Sequence, residues 1–366
     1  MDSVTQFALG AIVGTAVLGK SMGVRRAAIT GGLLGTLPDF DVFLPADDPI
    51  DSFVGHRGPS HSLIVHLIVA PVIGETLVRC FQKLKEYRAR VYIAVFLCLA
   101  THALLDAMTI YGTRLFWPVW PEPLGLGSIF IIDPLYTLPL LIVTIWAFFR
   151  RNWSVRFGKA VTLSLMISSL YLGWTVVGQK IVEAQGTAYL ADRGIEPQSI
   201  VAGPTPLNSL FWRMIAIDRD IYYNVYVPIL GSDEAITAYR HTRWELSVSC
   251  WVERAVAGEG VAGVLARFAD GLYTVTLRDA TVLVSDLRMG LYPEYAFQFA
   301  IAKRQGGVIE DTSPRRIRGN RSQPGDMEWL LAGVQGVRAI RPAEADQLIK
   351  DVPPQLAQEN RPTAAC

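Results

Sequence analysis

Six stretches of the chain run almost without charge, and its polar residues gather between them. Val4–Leu18, Ala27–Leu44, Ser62–Val78, Val91–Ala107, Ile129–Phe149 and Ala160–Val177 are apolar over lengths close to what a membrane-crossing helix needs. The first carries Gly10 and Gly14, and the second repeats that spacing with Gly31 and Gly35. Small residues at this spacing let two helices approach closely within a membrane. Both segments are short for a bilayer, and Pro38 stops the second helix early. They predict a hairpin that spans imperfectly and is lined by other helices.

After about Gly178 the pattern changes. Val225–Leu230, Ile236–Arg243, Ser247–Val252, Tyr273–Leu277 and Thr281–Ser285 are short, alternating or β-branched, with Gly, Asp or Pro between them. They read as antiparallel strands, with Leu272–Ser285 a hairpin that turns near Arg278-Asp279-Ala280. Ser313–Arg321 reads as a basic polar tail, Met327–Val334 as a short helix and the last dozen residues as disordered. The expected class is α+β. A polytopic helical membrane domain of about six spans (1–178) precedes a small, mainly antiparallel β domain (179–325) and a short helix with its tail (326–366).

Composition supports the membrane reading. Of 366 residues, 51% are hydrophobic and only 18% charged, and the mean hydropathy is +0.30; an ordinary soluble enzyme is less apolar and more charged. A net charge of +1 gives no electrostatic case for nucleic acid. The informative charge is local. Lys20, Arg25 and Arg26 follow the first run; Lys83, Lys85, Arg88 and Arg90 follow the third; Arg150, Arg151, Arg156 and Lys159 follow the fifth. Basic loops stay in the cytoplasm, so the other connections and the C-terminal domain are expected outside. Met1-Asp2-Ser3 has no basic leader character, and the first run reads as a retained span. Cys80 and Cys98 sit at or in apolar runs, Cys250 is isolated and Cys366 is last, so neither a zinc ribbon nor a disulfide framework is implied.

The expected outer face collects the chemistry. Asp39 and Asp41 flank Phe40 after a proline, where extended backbone would point both the same way. His56 and His61 bracket a Gly-Pro turn, and His102 and Asp106 are four apart on one helix face. Ionisable groups among membrane spans are costly and mark a function by default. Six His and Asp without cysteine suit a hard or borderline divalent ion, with Gln6 a weaker candidate ligand. Arg57 has the fork geometry to bind an anionic oxygen. His66 reads as a hydrogen-bonded core histidine, His241 as a surface residue of a strand, and Asp133 before Pro134 as a helix cap. Its alternative is an outer partner to a metal-bound histidine. Trp117 and Trp120 suit an interfacial aromatic belt.

These residues fall into a pattern: Met-Asp-x-x-Thr-Gln, Leu-Pro-Asp-x-Asp, His-Arg-Gly-x-Ser-His-Ser and Thr-His-x-x-Leu-Asp, followed by Tyr111-Gly112-Thr113 and Ile131–Tyr136. Over about Met1–Arg150 it resembles the bacterial inner-membrane family of YdjM-type metal-dependent hydrolases, and beyond that the likeness is one of general layout. The resemblance implies remote similarity to zinc-dependent phospholipase C and P1-type nucleases, which bind zinc clusters through His and Asp. Gln6 stands where many relatives have His.

The expected activity is metal-dependent hydrolysis of a phosphoester in a membrane lipid or lipid-linked substrate. Asp39, Asp41, His56, His61, His102 and Asp106 would bind two or more divalent ions, zinc with manganese or magnesium as alternatives. Asp41 would accept the proton and Arg57 would steady the anion. One rival is a metal-ion or small-solute transporter, whose ligands would spread through the membrane depth. Another is a non-catalytic membrane protein with a closed structural metal.

Overall fold

The computed structural model describes residues 1–43, 45, 48–244, 248, 252–253, 257, 260–306, 308–320 and 322–349. The expected disordered tail, Cys366 and Cys250 lie outside the described residues, as does most of the expected strand Ser247–Val252, whose described members Val248 and Val252 are helical. The chain forms two compact units: Met1–Leu44 with Gly55–Val177 and Pro206–Ser209, and Pro45–Val54 with Gly178–Thr205 and Leu210–Cys366.

The first unit is helical. Its elements are α1 (Ser3–Met22), α2 (Val24–Thr36), α4 (Leu63–Cys80), α5 (Arg88–Ala107), α6 (Pro134–Phe148) and the first part of α7 (Val155–Ala191); α3 (Pro49–Gly55) belongs almost wholly to the second unit. Asp2 caps α1 by accepting from the amides of Val4 and Thr5. Asp133 caps α6 in the same way, as its place before a proline suggested. Among the described residues, four helices are long and apolar enough to cross a membrane: Ser3–Met22, Leu63–Cys80, Gln82–Ala107 and Val155–Ala191. The other two expected spans are shorter: α2 has 13 residues and α6 has 15. Those lengths correspond to about 20 and 23 Å against a hydrocarbon core of about 30 Å. At Leu37 the second segment tightens into a 3-10 turn that runs through Pro38 to Phe43.

The glycine spacing performs the task its pattern suggested. A Cβ on Gly10 would lie 2.4 Å from the Gly31 carbonyl oxygen, and one on Gly14 would lie 2.7 Å from the Gly31 Cα. One on Gly35 would lie 2.6 Å from the Gln6 carbonyl oxygen. Backbone therefore meets backbone along α1 and α2, and no larger residue fits the seam. Ala8, Ala11, Ile12, Leu18, Val95 and Leu140 pack around it with little or no exposure.

The second unit is built on two four-stranded antiparallel sheets. The first has the order β1 (Ser199–Pro204), β2 (Phe211–Asp218), β3 (Ile221–Pro228), β4 (Thr237–Thr242). The second has the order β10 (Val308–Ile317), β9 (Gln298–Gln305), β6 (Thr281–Asp286), β5 (Tyr273–Arg278), and a ribbon of β7 (Gly290–Leu291) and β8 (Glu294–Tyr295) lies between β6 and β9 in sequence. β5 and β6 form the expected hairpin, and Asp279 and Ala280 at its turn both have positive φ, as a tight two-residue turn requires.

Two readings are corrected here. The stretch from Ser313 is not simply a polar tail, because Val308–Ile317 is an edge strand on β9. Its charged side chains are those an exposed sheet edge tolerates. His241 is buried and not a surface residue, since it lies on the inner side of β4, stacked on Tyr222 and bonded to Glu344. The expected short helix is present as Asp326–Val334.

Candidate metal centre

Four donors converge in the helical unit. Asp39, His61, His102 and Asp106 each offer one ligand atom, and these atoms lie within 4.8 Å of one another. His102 and Asp106 project from the last turns of α5, with Nε2 and Oδ2 3.8 Å apart. His61 ends the short 3-10 turn Pro59–His61 just before α4. Asp39 comes from the turn that closes α2, and its Oδ1 is 3.5 Å from Nε2 of both His61 and His102. His61 Nε2 is also 3.5 Å from Asp106 Oδ2. A tetrahedral ion with bonds of about 2.0–2.1 Å would separate its ligands by about 3.3–3.4 Å. The spacings observed bracket that value.

Hydrogen bonds fix which nitrogen of each imidazole faces the centre. His102 Nδ1 donates to the Gly35 carbonyl at 2.6 Å. The glycine seam sets this contact, because only backbone-to-backbone packing brings that carbonyl so near α5. Ser60 gives its single hydroxyl proton to Asp41 Oδ2 at 2.6 Å, and therefore accepts from His61 Nδ1 at 2.9 Å. Each ring thus turns Nε2 inward, where a neutral imidazole carries its lone pair, and the two meet at 3.0 Å. Two facing lone pairs at that distance require a cation, either a shared proton or a metal ion. Buried atoms lacking hydrogen bonds point the same way: Asp106 Oδ2 and Gln6 Oε1 have no hydrogen-bond partner. Arg57 Nε sits 3.0 Å from that Asp106 oxygen as an ion pair, without the alignment of a hydrogen bond. Asp106 Oδ1 is already taken by Gln6 Nε2 at 2.9 Å and by the Met1 amino group. The donor set fits a divalent ion.

The remaining candidates lie beside the group and not in it. Asp41 and His56 pair with each other at 2.7 Å, and Asp41 also accepts from the Arg57 amide at 3.2 Å. The reason is local. Leu37–Phe43 is a 3-10 turn, not the expected extended backbone. At three residues per turn, side chains two apart diverge by about 120°. Asp39 therefore faces the centre while Asp41 faces Ser60 and His56. Arg57, at φ 63°, reaches Thr109 Oγ1 at 3.0 Å and the Gly112 carbonyl at 3.4 Å. His66 is the hydrogen-bonded core histidine expected, donating from Nε2 to the Ser60 carbonyl at 2.8 Å. Asp133 serves as a cap and accepts from Tyr171.

Sequence reasoning missed Ser60 and the Gly35 carbonyl. Ser60 stood inside a quoted motif, but a serine carries little ligand signal. A backbone acceptor carries none.

Residues 1–182 match the YdjM inner membrane protein family. The chain belongs to that family through its helical part. No curated protein and no solved structure matches it. The family and the apolar helices together make this a membrane protein, and the matched residues include the whole four-donor group.

Proposed function

We propose that the chain is an integral-membrane metal-dependent hydrolase, a phosphoesterase acting on a lipid or lipid-linked substrate. The observation that carries this reading is the pair of imidazoles with both Nε2 lone pairs turned onto Asp39 and Asp106. Asp39, His61, His102 and Asp106 hold the ion, zinc by donor type and otherwise manganese or magnesium. A bound divalent ion supplies an activated water at neutral pH and neutralises charge on the departing oxygen.

The protein's own groups do the rest. Ser60 and Gly35 hold the imidazole tautomers. Asp41 accepts bonds at both carboxylate oxygens, so it positions Ser60 and His56 and is a poorer proton acceptor than its place in the motif suggested. Asp39, whose side chain is 23% exposed, is the member of the group open to an incoming head group. Arg57, paired with Asp106, is the cation for an anionic oxygen.

The basic loops support a topology with Lys83–Arg90 in the cytoplasm and the metal centre and C-terminal domain on the periplasmic side of the bacterial inner membrane. In that topology α2 and α6 complete six crossings as short helices, their backbone covered by neighbours. Such a site at one membrane face admits a polar head while the tail remains in lipid.

One observation favours a second reading. The donors number four, and three of them are fully buried, as in a closed structural site. One experiment separates the two readings. Elemental analysis of the full chain, purified without chelator, is expected to give a stoichiometric divalent ion in the wild type and none in His102→Ala. Under the hydrolase reading that variant stays folded and membrane-inserted and loses hydrolysis of phospholipid or lipid pyrophosphate. Loss of stability in step with the metal, with no hydrolysis by the wild type, establishes the structural role instead. A metal-free wild type overturns both.

A further inference from the structure

At the opposite end of α1 from the metal centre the helical unit has a second feature. Gln6 and Lys20 are fourteen residues apart on that helix, a rise of about 21 Å. Around Lys20 the ends of α1, α5 and α7 enclose an open cavity of about 860 Å³. Lys20, Arg90 and Lys159 stand along it, and none of its described lining residues is acidic. Below these cations the wall is apolar, with Leu163 and Met166 each more than half exposed. Trp153 forms one side. Lys20 Nζ lies 5.5 Å from its ring centroid. The ring is held between two glycines, since a Cβ on Gly19 would approach it to 2.9 Å and one on Gly158 to 2.7 Å.

We infer that this groove binds an anionic phospholipid, with its phosphate among Lys20, Arg90 and Lys159 and one acyl chain along Leu163 and Met166. Charge complementarity selects the head group. Three cations with no lining carboxylate leave an uncompensated positive field at a membrane surface, the arrangement that retains anionic lipid. The apolar wall, continuous with a helix apolar enough to cross the membrane, selects a lipid over a soluble phosphate. The Trp ring sits where amphipathic aromatics settle, at head-group level. The inference does not depend on hydrolysis at the other end of the bundle.

The test uses the full chain in nanodiscs of mixed phosphatidylglycerol and phosphatidylcholine, with lipid adducts counted by native mass spectrometry after gentle release. The wild type is expected to retain phosphatidylglycerol preferentially. At about fivefold per basic side chain, Lys20→Gln with Arg90→Gln and Lys159→Gln should reduce the preference on the order of 100-fold. Lys159→Glu alone, less disturbing to insertion, should reduce it on the order of 10-fold. Equal retention of both lipids by the wild type, or a preference unchanged in Lys159→Glu, overturns the assignment. Displacement of the lipid by glycerol phosphate at comparable concentration also overturns it, because the groove would then read free phosphate only.

Discussion

Among the described residues, two buried clusters of carboxylate, imidazole and guanidinium groups stand out, one in each compact unit, and they are satisfied to opposite degrees. In the β unit Glu344 is fully buried and accepts four hydrogen bonds: Asn224 at 2.6 Å, His241 at 2.8 Å, Tyr226 at 2.8 Å and Arg341 at 3.0 Å. Arg341 in turn forks onto both oxygens of Asp326, at 2.8 and 3.0 Å. Arg213 reaches the Asn224 side-chain oxygen, so the network closes across β2, β3 and β4. No lone pair of Glu344 is spare. In the helical unit, by contrast, Asp106 Oδ2 and Gln6 Oε1 lack hydrogen-bond partners, and two imidazole nitrogens confront each other. Buried polarity of the first kind is complete without a ligand. The second kind is complete only with a cation. Burial alone does not distinguish a site from a girder; the accounting of lone pairs does.

The most damaging way to test this contrast is to break the closed network. Glu344→Ala leaves Arg341, His241 and Asn224 buried with fewer partners, and removal of one member of a buried ion pair costs about 3–5 kcal/mol. That is a large part of a domain's total stability. Limited proteolysis of the full chain should show residues 199–317 cut early while the helical unit stays protected. A β unit that resists protease as the wild type does would mean that the network is not what holds it.

Acid should open the same network without mutation. Burial by itself pushes the Glu344 carboxyl up, but the His241 hydrogen bond and the charges of His241 and Arg341 outweigh it and hold the group at about 2, below its ordinary 4.5. A carboxyl depressed in the folded state contributes stability that is fully present above the unfolded value and is lost as pH falls through the folded one. The loss should therefore run from about pH 4.5 down to about pH 2. Urea unfolding monitored by tryptophan fluorescence should show the decline in the wild type and a flatter profile in Glu344→Gln.

Next in size is the seam that carries the open cluster. A Cβ on Gly31 would fall 2.3 Å from the Gly10 carbonyl oxygen, and the contacting atoms are backbone. Gly31→Ala should cost about 1–3 kcal/mol by overpacking. It should also weaken metal retention, because it shifts α2 and with it the Gly35 carbonyl that orients His102. Metal content and melting temperature measured together check this. A change in one with none in the other would separate the seam from the site.

How legible these features were in the sequence depended on range. The seam was legible because Gly10, Gly14, Gly31 and Gly35 repeat a local spacing. The His102–Asp106 face was legible because helical periodicity alone aligns it, and the Asp133 cap and the β5–β6 hairpin are equally local. What failed needed distant partners or an exact backbone form. His241 looked like a strand surface residue, since its partner Glu344 lies 103 residues further on. Asp41 looked like a ligand because a Pro-Asp-Phe-Asp string does not say whether it is extended or 3-10. β10 was missed because an edge strand tolerates charges on its exposed face, so its pattern matches that of a tail. α2 and α6 were read as spans by apolarity, and only their caps and turns reveal how short they are.

The finest test of the contrast is Ser60→Ala. Ser60 is no ligand, and its hydroxyl bonds to Asp41 and to His61. If the helical cluster were a closed network like that of Glu344, deleting one hydroxyl would register as stability, at about 1 kcal/mol for a lost hydrogen bond. If the cluster is a metal centre, the same deletion frees His61 to place its proton on Nε2 and so to turn a donor where a lone pair is needed. Loss of such an outer partner typically lowers metal affinity by about 10–100-fold. Ser60→Thr keeps a hydroxyl at the same position and should restore most of it. Competition titration with a coloured chelator reads the affinity, and thermal unfolding of the chelator-treated protein reads the stability. A shift in affinity with little change in metal-free stability, rescued by threonine, assigns Ser60 to orienting the metal-binding histidine; the reverse pattern would place this cluster with the closed one.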